Sequence, residues 1–230
     1  MGPTRTPARF RGRGVVTNTA WTLVVPLKPL ALAKSRLAPS VGEARRALAL
    51  AFALDTVAGA LACAAVRNVV VVTDDGTAAS ELSALGARIV PDLPGAGLNA
   101  ALAHGARAAR TGMPGAAVAA LNADLPALRP TELQRVLDTA GAFPRAFLAD
   151  AAGIGTTLLS AAPGVELAPA FGGPSRARHS ASGAVEIRLP GVASVRRDVD
   201  TGEDLRAAAL LGLGRHSSAR YAALAGARRR

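Results

Sequence analysis

The chain has 230 residues, half of them hydrophobic, and a formal net charge of +11. That length suits one α/β domain with a real core, and an aromatic content of 3% argues against a nucleic-acid module built on base stacking. The charge does not restore a polyanionic partner: Arg5, Arg9, Arg11 and Arg13 lie in an acid-free leader and Arg228, Arg229 and Arg230 come last, so without these seven the formal charge falls to +4, a mild surplus that suits a small anionic substrate.

Residues 1–20 read as a disordered basic leader. The first apolar run, Thr22–Pro26, reads as a buried strand, and it is too short for the apolar core of a signal peptide. It opens into Pro26–Leu37, which holds the only two lysines, Lys28 and Lys34, together with Arg36. A chain that uses arginine everywhere else keeps an ammonium twice. That compact point charge suits a phosphate, and a planar guanidinium is not its equivalent. Lys28, Lys34 and Arg36 are therefore candidates for holding a triphosphate, with loop amides assisting; the alternative is two surface lysines at a helix start. The segment has neither a Gly-x-x-x-x-Gly-Lys-Ser/Thr nor a Gly-x-Gly-x-x-Gly motif, which excludes a P-loop ATPase and a Rossmann dehydrogenase by motif.

Val41–Ala62 reads as a helix. The Ala-dominated stretch Ala47–Val66, interrupted by Asp55 and Thr56, suits a buried helix of a soluble domain better than a membrane span. Cys63 stands alone, so no disulfide framework or thiolate metal site can be built from it. It reads as a buried structural thiol, in keeping with a reducing cytoplasm. Asn68–Thr73 reads as a strand, Ala78–Leu85 as a helix and Ala87–Val90 as a strand. In the loop Asp92–Asn99, Gly95 and Gly97 allow close backbone approach to a ligand. Asn99 either pairs with a base edge or caps the helix Asn99–Arg110. After the strand Ala116–Leu121 comes Asn122-Ala123-Asp124-Leu125-Pro126. A carboxylate placed there suits Mg²⁺ or is a solvent-facing turn residue. Helix Pro130–Ala140 and strand Ala146–Ala149 follow. Alternating strands and helices imply a mostly parallel α/β sheet, whose ligands bind beyond the carboxyl ends of the strands.

Past residue 150 the alternation breaks. Thr156–Ser160, Ala184–Leu189 and Ser194–Val199 read as strands that extend the sheet and close one side of a cleft. Asp204–Leu211 reads as a last helix, and residues 214–230 as a basic tail. Asp198 and Asp200, two apart on an extended segment, point to one face, which is unfavourable unless a cation neutralises them. Asp200 or Thr201 can cap the last helix, but capping leaves Asp198 unexplained. Cations for phosphate, a Gly/Asn loop and three aspartates at strand ends together make the inventory of a metal-dependent nucleotidyltransferase.

The same segments carry a resemblance. Val25–Leu37, Gly97–Asn99, Asn122–Pro126 and Asp198–Leu205 resemble the guanylyltransferases of coenzyme F420 biosynthesis, which act on 2-phospho-L-lactate or phosphoenolpyruvate. Gly153–Leu158 and Phe171–His179 fit the same family, and the likeness runs over residues 21–213. It implies a single nucleotidyltransferase domain, GT-A-like and Rossmann-like, with a mostly parallel mixed sheet flanked by helices. GTP is the implied donor, and phosphoenolpyruvate or 2-phospho-L-lactate the acceptor. By position it implies that Asp124, Asp198 and Asp200 bind Mg²⁺ and that Thr156, Gly172 and Ser175 hold the phospho-acid. Ile154 stands where the family has the first threonine of Gly-Thr-Gly-Thr, which leaves Thr156 or Thr157 as the contact. Gly202 stands where proline is usual. The Ala/Arg-rich composition suits a GC-rich actinobacterial genome, a branch for which the resemblance implies phosphoenolpyruvate.

In the reaction so implied, a phosphate oxygen of the acid attacks the α-phosphorus of GTP. Such a nucleophile is already anionic, so no catalytic His or Ser is required. Lys28 would stabilise charge developing toward pyrophosphate, and Lys34 and Arg36 would anchor the triphosphate tail. His179, beside Arg176 and Arg178, either helps bind the anion or lies on a plain surface helix. His104 and His216 are given no role. The rival readings are a sugar-phosphate or molybdenum-cofactor nucleotidyltransferase, a glycosyltransferase, and a nucleic-acid-binding protein acting through its arginine tails.

Overall fold

A computed structural model describes residues 20–93 and 95–227. Nearly all of the basic leader, Pro94 of the Gly/Asn loop and the last three arginines thus lie outside the described residues. In chain order the elements are β1 (Trp21–Pro26), α1 (Ala38–Val41), α2 (Arg45–Leu61), β2 (Val66–Val72), α3 (Gly76–Ala84), β3 (Arg88–Val90), α4 (Leu98–Gly112) and β4 (Ala117–Leu121). There follow α5 (Pro130–Ala140), β5 (Arg145–Ala149), β6 (Thr156–Ala161), α6 (Ser175–Ala181), β7 (Val185–Glu186), α7 (Ala193–Arg196), α8 (Gly202–Leu211) and α9 (Arg215–Ala227).

The strands form one sheet in the order β3-β2-β1-β4-β6-β5-β7. β1 runs parallel to β2 and β4, β2 to β3, and β5 to β7. β6 alone is antiparallel to both its neighbours. This is the mostly parallel mixed sheet that strand–helix alternation predicts. The central strands lack polar alternation because both faces are covered. Leu23, Val25, Val69 and Val71 pack with Ala53 and Val57 of α2 and Leu133 and Val136 of α5 on one face. Their neighbours Val24, Val70 and Val72 pack with Leu102, Ala106 and Ala109 of α4 on the other. Small residues set the spacing on that side: a Cβ on Gly105 would lie 2.5 Å from Val24 and 2.6 Å from Val72.

The two polar residues that interrupt the buried helix α2 both hold other segments. Thr56 Oγ1 accepts from the Leu125 amide at 3.0 Å, donates to the Phe52 carbonyl at 2.8 Å and lies 3.2 Å from the Ala123 carbonyl. It thereby fixes the turn that carries Asp124. The Asp55 carboxylate accepts from the amides of His216 (3.1 Å) and Ser217 (2.7 Å) in the first turn of α9, satisfying donors a helix start leaves open.

Several expectations are corrected. Residues 41–62 are not one helix, because a tight turn at Gly42–Ala44 separates α1 from α2. The strand expected over Ala184–Leu189 shrinks to the edge pair Val185–Glu186. Ser194–Val199 is not a strand: Ala193–Arg196 is helical, with Ser194 and Val195 buried beneath it. The expected tail from residue 214 contains α9, whose Tyr221 and Leu224 pack on a third cluster with Leu37, Leu48, Phe52, Val199 and Leu205. Among the described residues no helix is long and apolar enough to cross a membrane.

Candidate active site

The chemistry lies beyond the carboxyl ends of β1 and β4, in a cleft of two joined lobes. The first encloses about 370 Å³ and is bordered by Lys28, Lys34, Ser35, Arg36 and Asn122. The second encloses about 480 Å³ and is bordered by Asp150, Thr156, Gly172, Ser175 and Asp198. Arg36, Leu98, Asn122, Asp124 and Asp200 border both lobes and form the seam between them.

The loop after β1 is held from three sides. Leu27 N–H bonds to Val72 O at 2.9 Å. Leu30 N–H bonds to Asp75 at 2.8 Å. Arg45 donates to the carbonyls of Ala31 and Ala33. Asp75 also caps α3 through the Ala78 amide. The bonds from Ala78 and then Leu30 hold its carboxyl below the usual range, outweighing burial. These ties deliver Lys34 with a left-handed backbone, φ +56°, which costs a non-glycine residue about 1 kcal/mol or more.

Lys34 is not directed at open solvent. Its ammonium donates to Asp124 and, at 2.8 Å, to Asp200. Burial pulls its pKa down, but Asp124 and then Asp200 outweigh that, and the net direction is upward. For Asp200, burial pushes up while Lys34 and Arg36 together prevail and lower it. Arg36 reaches Asp200 at 2.7 Å but its side chain is 74% exposed, so that pair adds little stability. Lys34, expected at the triphosphate tail, borders the first lobe, and its nearest partners are two of the carboxylates expected to bind metal. Lys28 is exposed on the first lobe and makes no ion pair among the described residues.

Val199 anchors the acidic segment. Its side chain is buried with Leu37 and Phe52, and its amide donates to Asp124 O at 3.1 Å. Asp198 and Asp200, on either side, both border the second lobe. Thr201, not Asp200, caps α8 in a capping box with Asp204, which frees Asp200 for the cleft. Burial, then the carboxylates of Asp124, Asp200 and Asp150, push the Asp198 pKa up, and Lys34 only partly offsets them. Among the described residues no group of three His, Cys, Asp or Glu closes into a ready metal site. Lys34 stands between two of the three aspartates. The donor chemistry nonetheless fits a hard divalent cation. Asp124 Oδ1 is buried with no hydrogen-bond partner, and Asp198 is crowded by like charges that a cation would relieve.

Besides its aspartates and Arg36, the second lobe is bordered by threonine and serine residues and by glycine backbone. Thr156 borders it, whereas the Thr157 hydroxyl is buried with no partner and does not, so Thr156 is the threonine available to a ligand. Gly172, at φ +92°, and Gly173 make a turn ahead of α6 that L side chains rarely adopt. Ser175 follows, 2% exposed. Asp150 organises the opposite rim, accepting from the amides of Ile154 (2.9 Å) and Gly155 (2.7 Å). The Ile154 side chain is 61% exposed; what the turn uses at that position is its backbone.

Asn99 does neither thing expected of it. Gly97 is the N-cap of α4. The Asn99 carboxamide instead accepts from Phe171 N–H at 2.7 Å and donates to Phe171 O at 3.2 Å. It ties the start of α4 to the Gly172 turn, while Leu98 borders both lobes. His179 is likewise not on a surface: it is fully buried. Asp75, Asp150, Arg45 and Thr56 were not singled out for the site by sequence. The one local hint is a carboxylate directly after β2, in Thr73-Asp74-Asp75-Gly76, the same placement as Asp124 after β4.

A lobe bordered by cations thus joins, through the carboxylates of Asp124 and Asp200, a lobe bordered by hydroxyls, glycine backbone and further carboxylates, at the carboxyl ends of the central strands. Solved structures share the fold. A nucleotidyl transferase from Methanothermobacter superimposes with a TM-score of 0.57 at 21% identity, covering 84% of this chain and 97% of that one. A 4-diphosphocytidyl-2C-methyl-D-erythritol synthase gives 0.53 at 16% identity, covering 84% and 99%.

The chain belongs to the family described as guanylyl transferase CofC like, whose model matches residues 21–223. It is 69% identical over 205 residues to the phosphoenolpyruvate guanylyltransferase of Streptomyces avermitilis, covering 89% of this chain and 95% of that one. The protein of the same name from Thermomonospora curvata is 61% identical over 199 residues, covering 86% and 87%.

Proposed function

We propose that this chain transfers GMP from GTP to phosphoenolpyruvate, giving enolpyruvoyl-2-diphospho-5'-guanosine and pyrophosphate, as a step of coenzyme F420 biosynthesis in the cytoplasm. The observation that carries the reading is the pair of lobes meeting at Asp124 and Asp200. A donor triphosphate and an anionic acceptor can lie on opposite sides of one carboxylate seam. The named relatives supply the choice of guanine and of acceptor.

In the reaction, a phosphate oxygen of phosphoenolpyruvate forms a bond to the α-phosphorus of GTP. The bond from that phosphorus to the β-bridging oxygen breaks, and pyrophosphate leaves with the electron pair. The nucleophile is already anionic near neutral pH, so no side chain need take a proton from it. The task of the protein is to bring two anions together and balance their charge. Lys28, with its ammonium unpaired in the first lobe, stabilises the departing pyrophosphate. Arg36 borders both lobes and holds the triphosphate near the seam. Lys34 holds Asp124 and Asp200 in place through its two hydrogen bonds. Thr156, Ser175 and the Gly172 turn orient the phosphate and carboxylate of the acid. Asp124, Asp198 and Asp200 would hold Mg²⁺, which when bound neutralises charge on the reacting phosphates.

The test is pyrophosphate release from GTP with Mg²⁺, offering phosphoenolpyruvate and 2-phospho-L-lactate separately, with product mass read in the same sample. Release with phosphoenolpyruvate and a matching guanylylated product is expected. Release only with 2-phospho-L-lactate moves the acceptor. Release with neither sends the activity to another nucleotidyltransfer, such as that onto a sugar phosphate.

A further inference from the structure

Behind the acceptor lobe lies a buried histidine that the reaction itself does not require. His179 is fully buried and Thr156 is 4% exposed. The imidazole is walled by Phe147, with ring centroids 5.8 Å apart, and by Phe171, 5.0 Å away and edge-on. Both ring nitrogens are engaged. The Ala170 amide donates to Nε2 at 3.0 Å, and Nδ1 lies 3.0 Å from Thr156 Oγ1.

These contacts determine where the protons are. A backbone N–H can only donate, so Nε2 must be the bare, accepting nitrogen. A neutral imidazole carries its one proton on the other nitrogen, so Nδ1–H donates to Thr156 Oγ1. A charged ring would place Nε2–H against the Ala170 N–H. The surroundings also oppose charge: burial first, then the guanidiniums of Arg145 and Arg178, bring the His179 pKa down to about 4. The Thr156 hydroxyl is thus used as an acceptor from behind. Its own proton has no acceptor among the described residues, and the residue borders the acceptor lobe.

We propose that His179 is a positioning residue for the acceptor: through Nδ1–H it makes Thr156 an obligate donor toward an oxygen of the phospho-acid. Left to itself, a threonine hydroxyl rotates and can present either a lone pair or a proton. Presented to a dianion, a lone pair repels and a proton binds. His179 removes the wrong choice before the substrate arrives. Through Nε2 it also holds Ala170, next to the Phe171 backbone that Asn99 clamps, so one ring fixes both the hydroxyl and the start of the Gly172 turn. This role rests on the assignment of Thr156 to the acceptor.

The experiment has two parts. In the unmodified full-length protein labelled with ¹⁵N-histidine, NMR at neutral pH reads the His179 tautomer. A neutral ring protonated at Nδ1 is expected, and a ring protonated at Nε2 or at both nitrogens overturns the proposal. The second part is a kinetic cycle over His179→Leu, Thr156→Val and the double variant, run with whichever of phosphoenolpyruvate and 2-phospho-L-lactate the unmodified protein turns over. His179→Leu should raise KM for the acid about tenfold, the size of one directed hydrogen bond to a charged group, with KM for GTP nearly unchanged. In the Thr156→Val background the same substitution should change KM for the acid less than about twofold. His179→Asn, which offers an N–H near the Nδ1 position, should recover most of the loss. Equal effects of His179→Leu in both backgrounds overturn the proposal. A wrong acceptor shows in the unmodified protein, a wrong role for His179 only in the variants and the tautomer.

Discussion

The two lobes of the cleft are lined by different chemistry. The first uses full charges: Lys28 unpaired, and Lys34 and Arg36 tied to aspartates across the seam. The second places hydroxyls and glycine backbone beside the carboxylates of Asp150, Asp198 and Asp204, with the His179 ring bonded to Thr156 from behind. On the proposed function the first lobe takes a triphosphate, long and highly charged, which fixed cations can hold. A three-carbon phospho-acid has few features, and telling it from other anions requires donors with a fixed direction. The contrast teaches that charge serves attraction on one side and geometry serves selection on the other.

Breaking the seam should have the largest effect. Asp198→Asn should lower kcat by roughly 10²–10³-fold, with the melting temperature unchanged or raised, because this carboxylate is crowded by Asp124, Asp200 and Asp150. Wild-type turnover in that variant would remove Asp198 from the site.

Lys34→Met leaves Asp124 and Asp200 facing each other, both partly buried. Denaturant unfolding should show a loss of about 3 kcal/mol, and kcat should fall at least tenfold at the same time. Lys34 thus separates from Lys28, whose loss should leave stability untouched.

The wall behind the second lobe has a pH signature of its own. Because His179 is neutral in the fold with its pKa brought down to about 4, the unfolded chain binds a proton first as pH falls through about 6.5. The stability it contributes is complete above that value and drains away between it and about pH 4. Urea unfolding at pH 7 and pH 5 should differ by about 2 kcal/mol more in the unmodified protein than in His179→Leu.

Smallest, and confined to the first lobe, is Lys28→Ala. It should lower kcat about tenfold, because charge developing on the departing pyrophosphate loses its cation, and leave KM for the acid unchanged. A rise in KM for the acid would erase the division between lobes.

Much of this was legible in sequence. The buried strands β1, β2 and β4 read directly, because apolar runs without alternation have few other meanings. Asp124 was placed at the cleft by its position after β4, and Asp198 and Asp200 by the unfavourable spacing of like charges, although the strand expected before that pair is a short helix. Where the reading failed, the deciding contact was far off in the chain. Asn99 has two sound local explanations, yet its partner is 72 residues away. Lys34 finds Asp124 and Asp200 at separations of 90 and 166 residues. The burial of His179 depends on Phe147 and Thr156 from β5 and β6, which no pattern around residue 179 contains. The helix at Ala193–Arg196 was missed because four residues are too few for a period to show.

The bond from Asp55 to the start of α9 has a kinetic side. It joins residues 161 and 162 positions apart, and α9 covers the same cluster that seats Val199 and Leu37 beneath the cleft. Closing so long a loop is slow, and its entropy must be spent before the contact returns anything. The central parallel strands can therefore pair while the cleft floor is still open. In a refolding experiment the sheet should report first, and the ability to make pyrophosphate should return only with the slower docking of α9.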